Sequence, residues 1–135
     1  MILVDSNFFI ALMNNRDKYH ERAKELANNI LKEKNKIIPL LMVSEAIASI
    51  GKKKDGEIAN KLYNVIVDNF EVCYCEEKDI KESMKLVLKY AGNLSLADCL
   101  AIHIMKEKKI TNIFSFDTDF DKVNGIVRIH WIKYK

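Results

Sequence analysis

Ile2, Leu3 and Val4 form an unbroken apolar trio, the pattern of a short strand buried on both faces, and a helical stretch follows it. From Tyr19 onward apolar residues recur at Ala23, Leu26 and Ile30, which is the helical period. Lys36 to Leu41 reads as a second strand, with a helix through Glu45 to Ile50 behind it. Ile58, Leu62, Val65 and Ile66 mark a further helix. Glu71 to Cys75 is a short strand, and Ile80, Met84, Val87, Leu88 and Ala91 mark the helix after it. Ser95 opens one more helix, which runs to about Lys108. Ile113 to Phe116 forms a fourth strand and Val127 to Ile132 a fifth.

Strands separated by helices imply βαβ units, hence an α/β fold with a mostly parallel sheet of about five strands and helices on both faces. In such sheets ligands bind outside the carboxyl ends of the strands, so chemistry is expected there. No internal repeat, low-complexity tract or linker interrupts the 135 residues, and one Pro and four Gly leave little room for long loops. The chain therefore reads as a single domain over residues 1–135.

Composition narrows the class. With 49% apolar and 30% charged residues the chain is an ordinary globular protein, and no apolar run approaches the roughly 18 residues of a membrane span. The first residues carry no basic segment and Asp5 breaks their apolar run, so no signal peptide is expected. Cys73, Cys75 and Cys99 are odd in number and lack a C-x-x-C pair, which suits reduced thiols in a cytoplasmic protein. His20, His103 and His130 show no paired metal-ligand spacing. The net charge of +3 is mild, but lysines cluster at 32/34/36, 52–54 and 106/108/109. Such clusters are ordinary solvated helix ends and equally suit phosphate contacts.

The acids are distributed less ordinarily. Asp5 follows the first strand, and Glu45 is the only charge between Pro39 and Ile50. Asp117 follows the fourth strand, with Asp119 two residues on. At about 100° per residue, Ala97, Ala101, Ile102, Ile104 and Met105 form an apolar arc that contains Asp98, with His103, Lys106 and Glu107 on the opposite, wet side. An ionised carboxylate among apolar neighbours is costly unless compensated, and several together repel one another. A hard divalent cation such as Mg²⁺ or Mn²⁺ resolves that cost through carboxylate oxygens. Each acid also has a local reading: Asp5 as a helix cap, Glu45 as a first-turn acid on the helix dipole, Asp98 closing a capping box with Ser95, Asp117 to Asp121 as a short helix cap or turn. A calcium loop starting at Asp117 fails, because its sixth position is Lys122 and its twelfth Arg128.

Taken in order, LVDSN at Asp5, PLLMVSEA at Glu45, LSLADCLAIHIM at Asp98 and IFSFDTDFDKV at Asp117 and Asp119 make the chain resemble the PIN-domain nucleases, in their small VapC-like branch. The resemblance implies an α/β/α sandwich with Asp5, Glu45, Asp98 and Asp117 as core acids in one pocket. It implies metal contact by Asp5, Asp98 and Asp117 with Asp119 as an additional ligand, and support from Asn7 and Ser115. The implied activity is Mg²⁺- or Mn²⁺-dependent endoribonuclease cleavage of RNA, by a homodimer that in toxin members is neutralised by a small antitoxin. Asp121 is expected to be a solvated surface acid. Two alternatives remain within the family, an inactive RNA-binding or scaffolding module and a nuclease that is not a toxin. Outside it, phosphoryl transfer of the receiver or haloacid type lacks its signatures, since Asp5-Ser6-Asn7 is no Asp-x-Asp and only Glu76 and Glu77 follow the middle strand.

Overall fold

The computed structural model describes residues 1–130. Five strands form one sheet: β1 (Ile2–Val4), β2 (Lys36–Pro39), β3 (Glu71–Cys73), β4 (Asn112–Phe114) and β5 (Val127–Ile129). Their order is β3-β2-β1-β4-β5 and every pairing is parallel. β1 is central, which is why its three residues are all apolar and all buried. Val127, on the edge strand β5, is exposed.

The connections carry six helices: α1 (Ser6–Met13), α2 (His20–Lys32), α3 (Leu40–Lys53), α4 (Gly56–Asn69), α5 (Glu77–Lys89) and α6 (Leu96–Lys108). β1 to β2 to β3 steps one way across the sheet, and β3 to β4 to β5 steps back the other way. Right-handed crossovers therefore put α1 to α4 on one face and α5 and α6 on the other. The helix pairs that pack together, α1 on α2 and α3, α3 on α4, and α5 on α6, agree with that division. The expected α/β/α sandwich is what forms. Among the described residues no helix is long and apolar enough to cross a membrane.

Several boundaries depart from expectation for one physical reason. Leu40 and Leu41 begin α3 instead of ending β2, because Met42, Val43, Ala46 and Ile50 must all face the core and only helical spacing brings them to one side. β3 stops at Cys73, and β4 stops at Phe114, leaving Ser115 and Phe116 beyond its end. β5 is described to Ile129, and the last expected strand residues, at 131 and 132, lie outside the described residues. On α5, Met84 and Leu88 are exposed, and Val65 on α4 is exposed as well, so these three do not belong to the buried faces they were expected to mark.

Aromatic rings brace the sheet beneath its carboxyl ends. Phe8 meets Phe9 and Phe114 edge-on, Phe114 meets Phe116 likewise, and Tyr19 stacks on Phe116 with centroids 4.5 Å apart. The ground under β1 and β4 is thus a packed aromatic layer.

Candidate functional site

The strand order reverses between β1 and β4, the place where an open parallel sheet leaves a crevice at its carboxyl edge. Asp5 follows β1 and Ser115 follows β4, so both stand at that crevice. The Asp5 amide prolongs the ladder by donating to the Phe114 carbonyl at 2.9 Å. Asp5 occupies the N-cap position of α1 yet makes no capping hydrogen bond. Its carboxylate instead takes a 2.6 Å bond from Ser115 Oγ on Oδ2 and a 3.2 Å contact from Ser6 Oγ on Oδ1. The capping alternative for Asp5 therefore fails.

Ser115 is fully buried and satisfies three groups at once. Its single proton goes to Asp5, and its oxygen accepts from Asn7 Nδ2 at 3.1 Å and from the Asp117 amide at 3.0 Å. Asn7 closes the loop by accepting from the Phe116 amide at 3.4 Å. Asn7 and Ser115 thus hold Asp5 and Asp117 in register with each other.

The other acids approach from three elements. Glu45 lies in the second turn of α3, too far along for the helix-dipole alternative. The residue is exposed overall, against the expectation that it faces inward, but its Oε1 is turned to Ser6 Oγ at 3.3 Å. Ser6 has one hydroxyl proton to share between Asp5 and Glu45. Asp98 is half-buried in the first turn of α6, where it completes the capping box: Ser95 Oγ accepts from the Asp98 amide at 3.1 Å and Asp98 Oδ2 accepts from the Ser95 amide at 3.3 Å. Asp117 caps the 3₁₀ turn Thr118–Lys122 by accepting from the Asp119 amide at 2.9 Å. Asp119 itself pairs with Lys122 at 3.1 Å.

Electrostatics tie the set together. Burial pushes the Asp5 carboxyl up to about 7, held back by the Ser115 bond and assisted by Asp98 and Glu45. Burial also raises Glu45, and Asp98 adds to it. Asp98 is raised by burial against its Ser95 bonds, with Asp117 and Asp119 contributing. Asp98 is therefore the common neighbour of all the others. Asp5, Glu45, Asp98, Asp117 and Asp119 form one electrostatic group, graded from fully buried Asp5 to exposed Glu45.

Three residues escaped sequence reasoning. Ser6 bridges Asp5 and Glu45, a role that no spacing reveals. Arg128 grips Asp121 through Nε and Nη2 at 2.9 and 3.1 Å, and its Nη1 donates to the Ser115 carbonyl at 3.1 Å. Asp121 is thus the exposed surface acid that was expected, and it is ion-paired with Arg128. Lys18 lines a cavity of about 330 Å³ with Asn7, Tyr19, Phe116, Asp117 and Thr118. A second cavity of about 340 Å³ shares Tyr19, Phe116 and Thr118 and adds Arg22, Arg128 and His130.

The lysine clusters lie elsewhere. Lys36 opens β2 at the amino ends of the strands, Lys52 to Lys54 end a helix that runs back from the β2 carboxyl end, and Lys108 lines a cavity with Cys73 and Tyr74 at the end of β3. Also apart is the one group among the described residues whose potential ligand atoms all lie within 4.8 Å of one another: Asp79, His103 and Glu107.

The sequence model of the PIN domain family matches residues 2–126. No curated protein sequence matches the chain. Among solved structures the chain is similar to VapC20 of Mycobacterium tuberculosis, described as a sarcin-ricin loop cleaving toxin, at 20% identity and TM-score 0.81, covering 90% of this chain and 94% of that one. It is similar to a toxin-antitoxin complex of Klebsiella pneumoniae at 19% identity and TM-score 0.69, covering 94% and 96%. It is similar to VapBC2 of Rickettsia felis, bound to a DNA fragment from its promoter, at 16% identity and TM-score 0.64, covering 96% and 98%. At such identities these likenesses establish the fold.

Proposed function

The chain belongs to the PIN domain family, and from that premise we propose that it is a divalent-metal-dependent endoribonuclease hydrolysing RNA phosphodiester bonds, a single PIN-like domain over residues 1–135. The observation that carries the reading is the electrostatic influence that Asp98 shares with Asp5, Glu45 and Asp117 around the crevice where the strand order reverses.

The donor set fits Mg²⁺ or Mn²⁺: every candidate ligand is a carboxylate oxygen, and burial and neighbouring acids raise the pKa values of Asp5 and Asp98, a cost that a cation would relieve. Asp5, Asp98 and Asp117 are the residues to hold the ion, with Asp119 as a further contact. When bound, such an ion supplies Lewis-acid polarisation of water and of the phosphoryl oxygens.

The chain's own residues then divide the remaining work. Glu45, exposed and with its pKa raised by burial and by Asp98, would orient a water and take its proton. Ser6 holds the Glu45 carboxylate beside Asp5, and Ser115 holds Asp5 beside Asp117. Water adds to phosphorus, its proton passing to Glu45, as the bond to the 3′ oxygen breaks; the 3′ oxygen takes a proton from solvent, leaving a 5′-phosphate and a 3′-hydroxyl. Lys18, in the cavity shared with Asp117, is a candidate phosphate contact, and the Tyr19–Phe116 stack beside it offers a platform for a base.

The similarity to VapC20 and to two toxin-antitoxin complexes supports the further reading that this is a toxin with an antitoxin partner; a cytoplasmic homodimer and a small antitoxin are what the family resemblance adds to that reading. Cleavage of labelled RNA by wild type and Asp98→Asn tests the proposal. The variant is expected to fold, because asparagine keeps an acceptor for the Ser95 amide, and to cleave at least about 100-fold more slowly. Equal cleavage by both proteins, or wild-type activity that survives EDTA, overturns it.

A further inference from the structure

On α6, His103 and Glu107 stand one turn apart, and Asp79 reaches them from the first turn of α5. His103 Nε2 lies 3.0 Å from Asp79 Oδ1 and 3.0 Å from Glu107 Oε1. The His103 and Asp79 side chains are only 13% and 17% exposed, whereas Glu107 is 60% exposed and closes the group from the solvent side. A cavity of about 170 Å³ opens over them, walled also by Cys73, Tyr74, Ile104 and Lys108. His103 was expected on the wet side of its helix, and the packing of α5 against α6 removes it from there.

We propose that Asp79, His103 and Glu107 form a second metal site, separate from the acid pocket, that takes one borderline divalent transition ion of the Zn²⁺ type. Three features argue for it. The imidazole and its i+4 carboxylate share one helix face, the spacing by which helices present ligands to zinc. The ligand atoms already sit near the required separation, because two atoms each about 2.0–2.1 Å from a tetrahedral ion stand about 3.4 Å apart. Asp79 is also fixed from behind: its Oδ2 accepts from the Glu76 amide at 2.8 Å in the α5 capping box, leaving Oδ1 aimed at His103.

The ligand chemistry separates the two sites. One nitrogen and two carboxylate oxygens with water in the fourth position suit zinc, whereas the acid pocket offers oxygen alone and suits magnesium. On α6, Asp98 and His103 are five residues and so about 140° apart around the axis, which turns the second site away from the first. An ion held there would tie α5 to α6 across the sheet face opposite α1 to α4.

Titration of the full chain with Zn²⁺ by calorimetry, and with Co²⁺ by visible absorption, tests the proposal in Asp98→Asn, in that variant with His103→Gln, and in that variant with Glu107→Gln. The expected result is one Zn²⁺ per chain in Asp98→Asn, with the intense visible bands of four-coordinate Co²⁺. His103→Gln is expected to weaken Zn²⁺ binding by more than about 100-fold, beyond the loss typical of a second-shell partner. Glu107→Gln touches only an exposed side chain, keeps the fold, and is expected to weaken binding at least about 10-fold. Absence of stoichiometric binding in Asp98→Asn overturns the proposal and leaves His103 as a hydrogen-bonded tie between two helices. Binding that survives both second substitutions overturns it too.

Discussion

Replacing Asp5 by asparagine should make the metal-free protein more stable at alkaline pH while abolishing its chemistry. Asp5 is 4% exposed, and its carboxyl is pushed from 3.8 up to about 7 by burial, with Asp98 and Glu45 contributing. The folded state therefore binds a proton that the unfolded chain has already released between about pH 4 and pH 7. Where the folded state holds more protons, stability falls as pH rises. This contribution is fully present below pH 3.8, is lost through the interval, and levels off above pH 7. A gap of about three pKa units at about 1.4 kcal/mol each sets an upper cost of about 4 kcal/mol. Asparagine has the same shape and no charge. Its carbonyl can accept the Ser115 proton, and its amide can donate to Ser6, whose own proton then serves Glu45 alone. Urea denaturation in EDTA at pH 4 and at pH 8 reads the effect. The two proteins should be nearly equally stable at pH 4, and Asp5→Asn should be about 2–4 kcal/mol more stable at pH 8. Added Mg²⁺ should narrow the difference by stabilising wild type more than the variant. A variant less stable than wild type at pH 8 without metal, or a difference independent of pH, refutes the reasoning.

Ser115→Ala removes the hydroxyl that serves Asp5, Asn7 and the Asp117 amide, so it should destabilise the protein by about 2–4 kcal/mol in denaturant. The same bond holds the Asp5 carboxyl down, so the acidic limb of the pH–rate profile should move to higher pH in this variant. Lys18→Ala should raise KM several-fold with kcat nearly unchanged, and should reduce the slope of log affinity against log salt by about one, as loss of a single phosphate contact does.

Some of this architecture lies open in the chain. Ile2 to Val4 can only be a strand covered on both faces, and Ser95 with Asp98 marks the start of α6 to the residue. Asp98 also shows where local patterns mislead. Capping box and acid pocket looked like alternatives, and the side chain serves both, because one carboxylate oxygen satisfies the Ser95 amide while its charge still reaches Asp5 and Glu45. Leu40 and Leu41 suit a strand or a helix equally, and only the stripe that follows decides between them. What the chain could not disclose is which end of the sheet a segment reaches. The lysine clusters look suited to phosphate, yet it is solitary Lys18 that shares a cavity with Asp117. Ser6, His103 and Arg128 take these roles from partners 39, 24 and 13 residues away, and periodicity is blind to such contacts.

The most direct test of the central claim, a carboxylate-held metal at the crevice between β1 and β4 that hydrolyses RNA, is the identity of the product ends. RNA cleaved by the wild-type protein in Mg²⁺ should carry 5′-phosphate and 3′-hydroxyl termini, and cleavage should stop in EDTA. Products with 5′-hydroxyl and 2′,3′-cyclic phosphate ends, formed with or without the metal, would mean that the RNA's own 2′-hydroxyl is the nucleophile and would contradict the account.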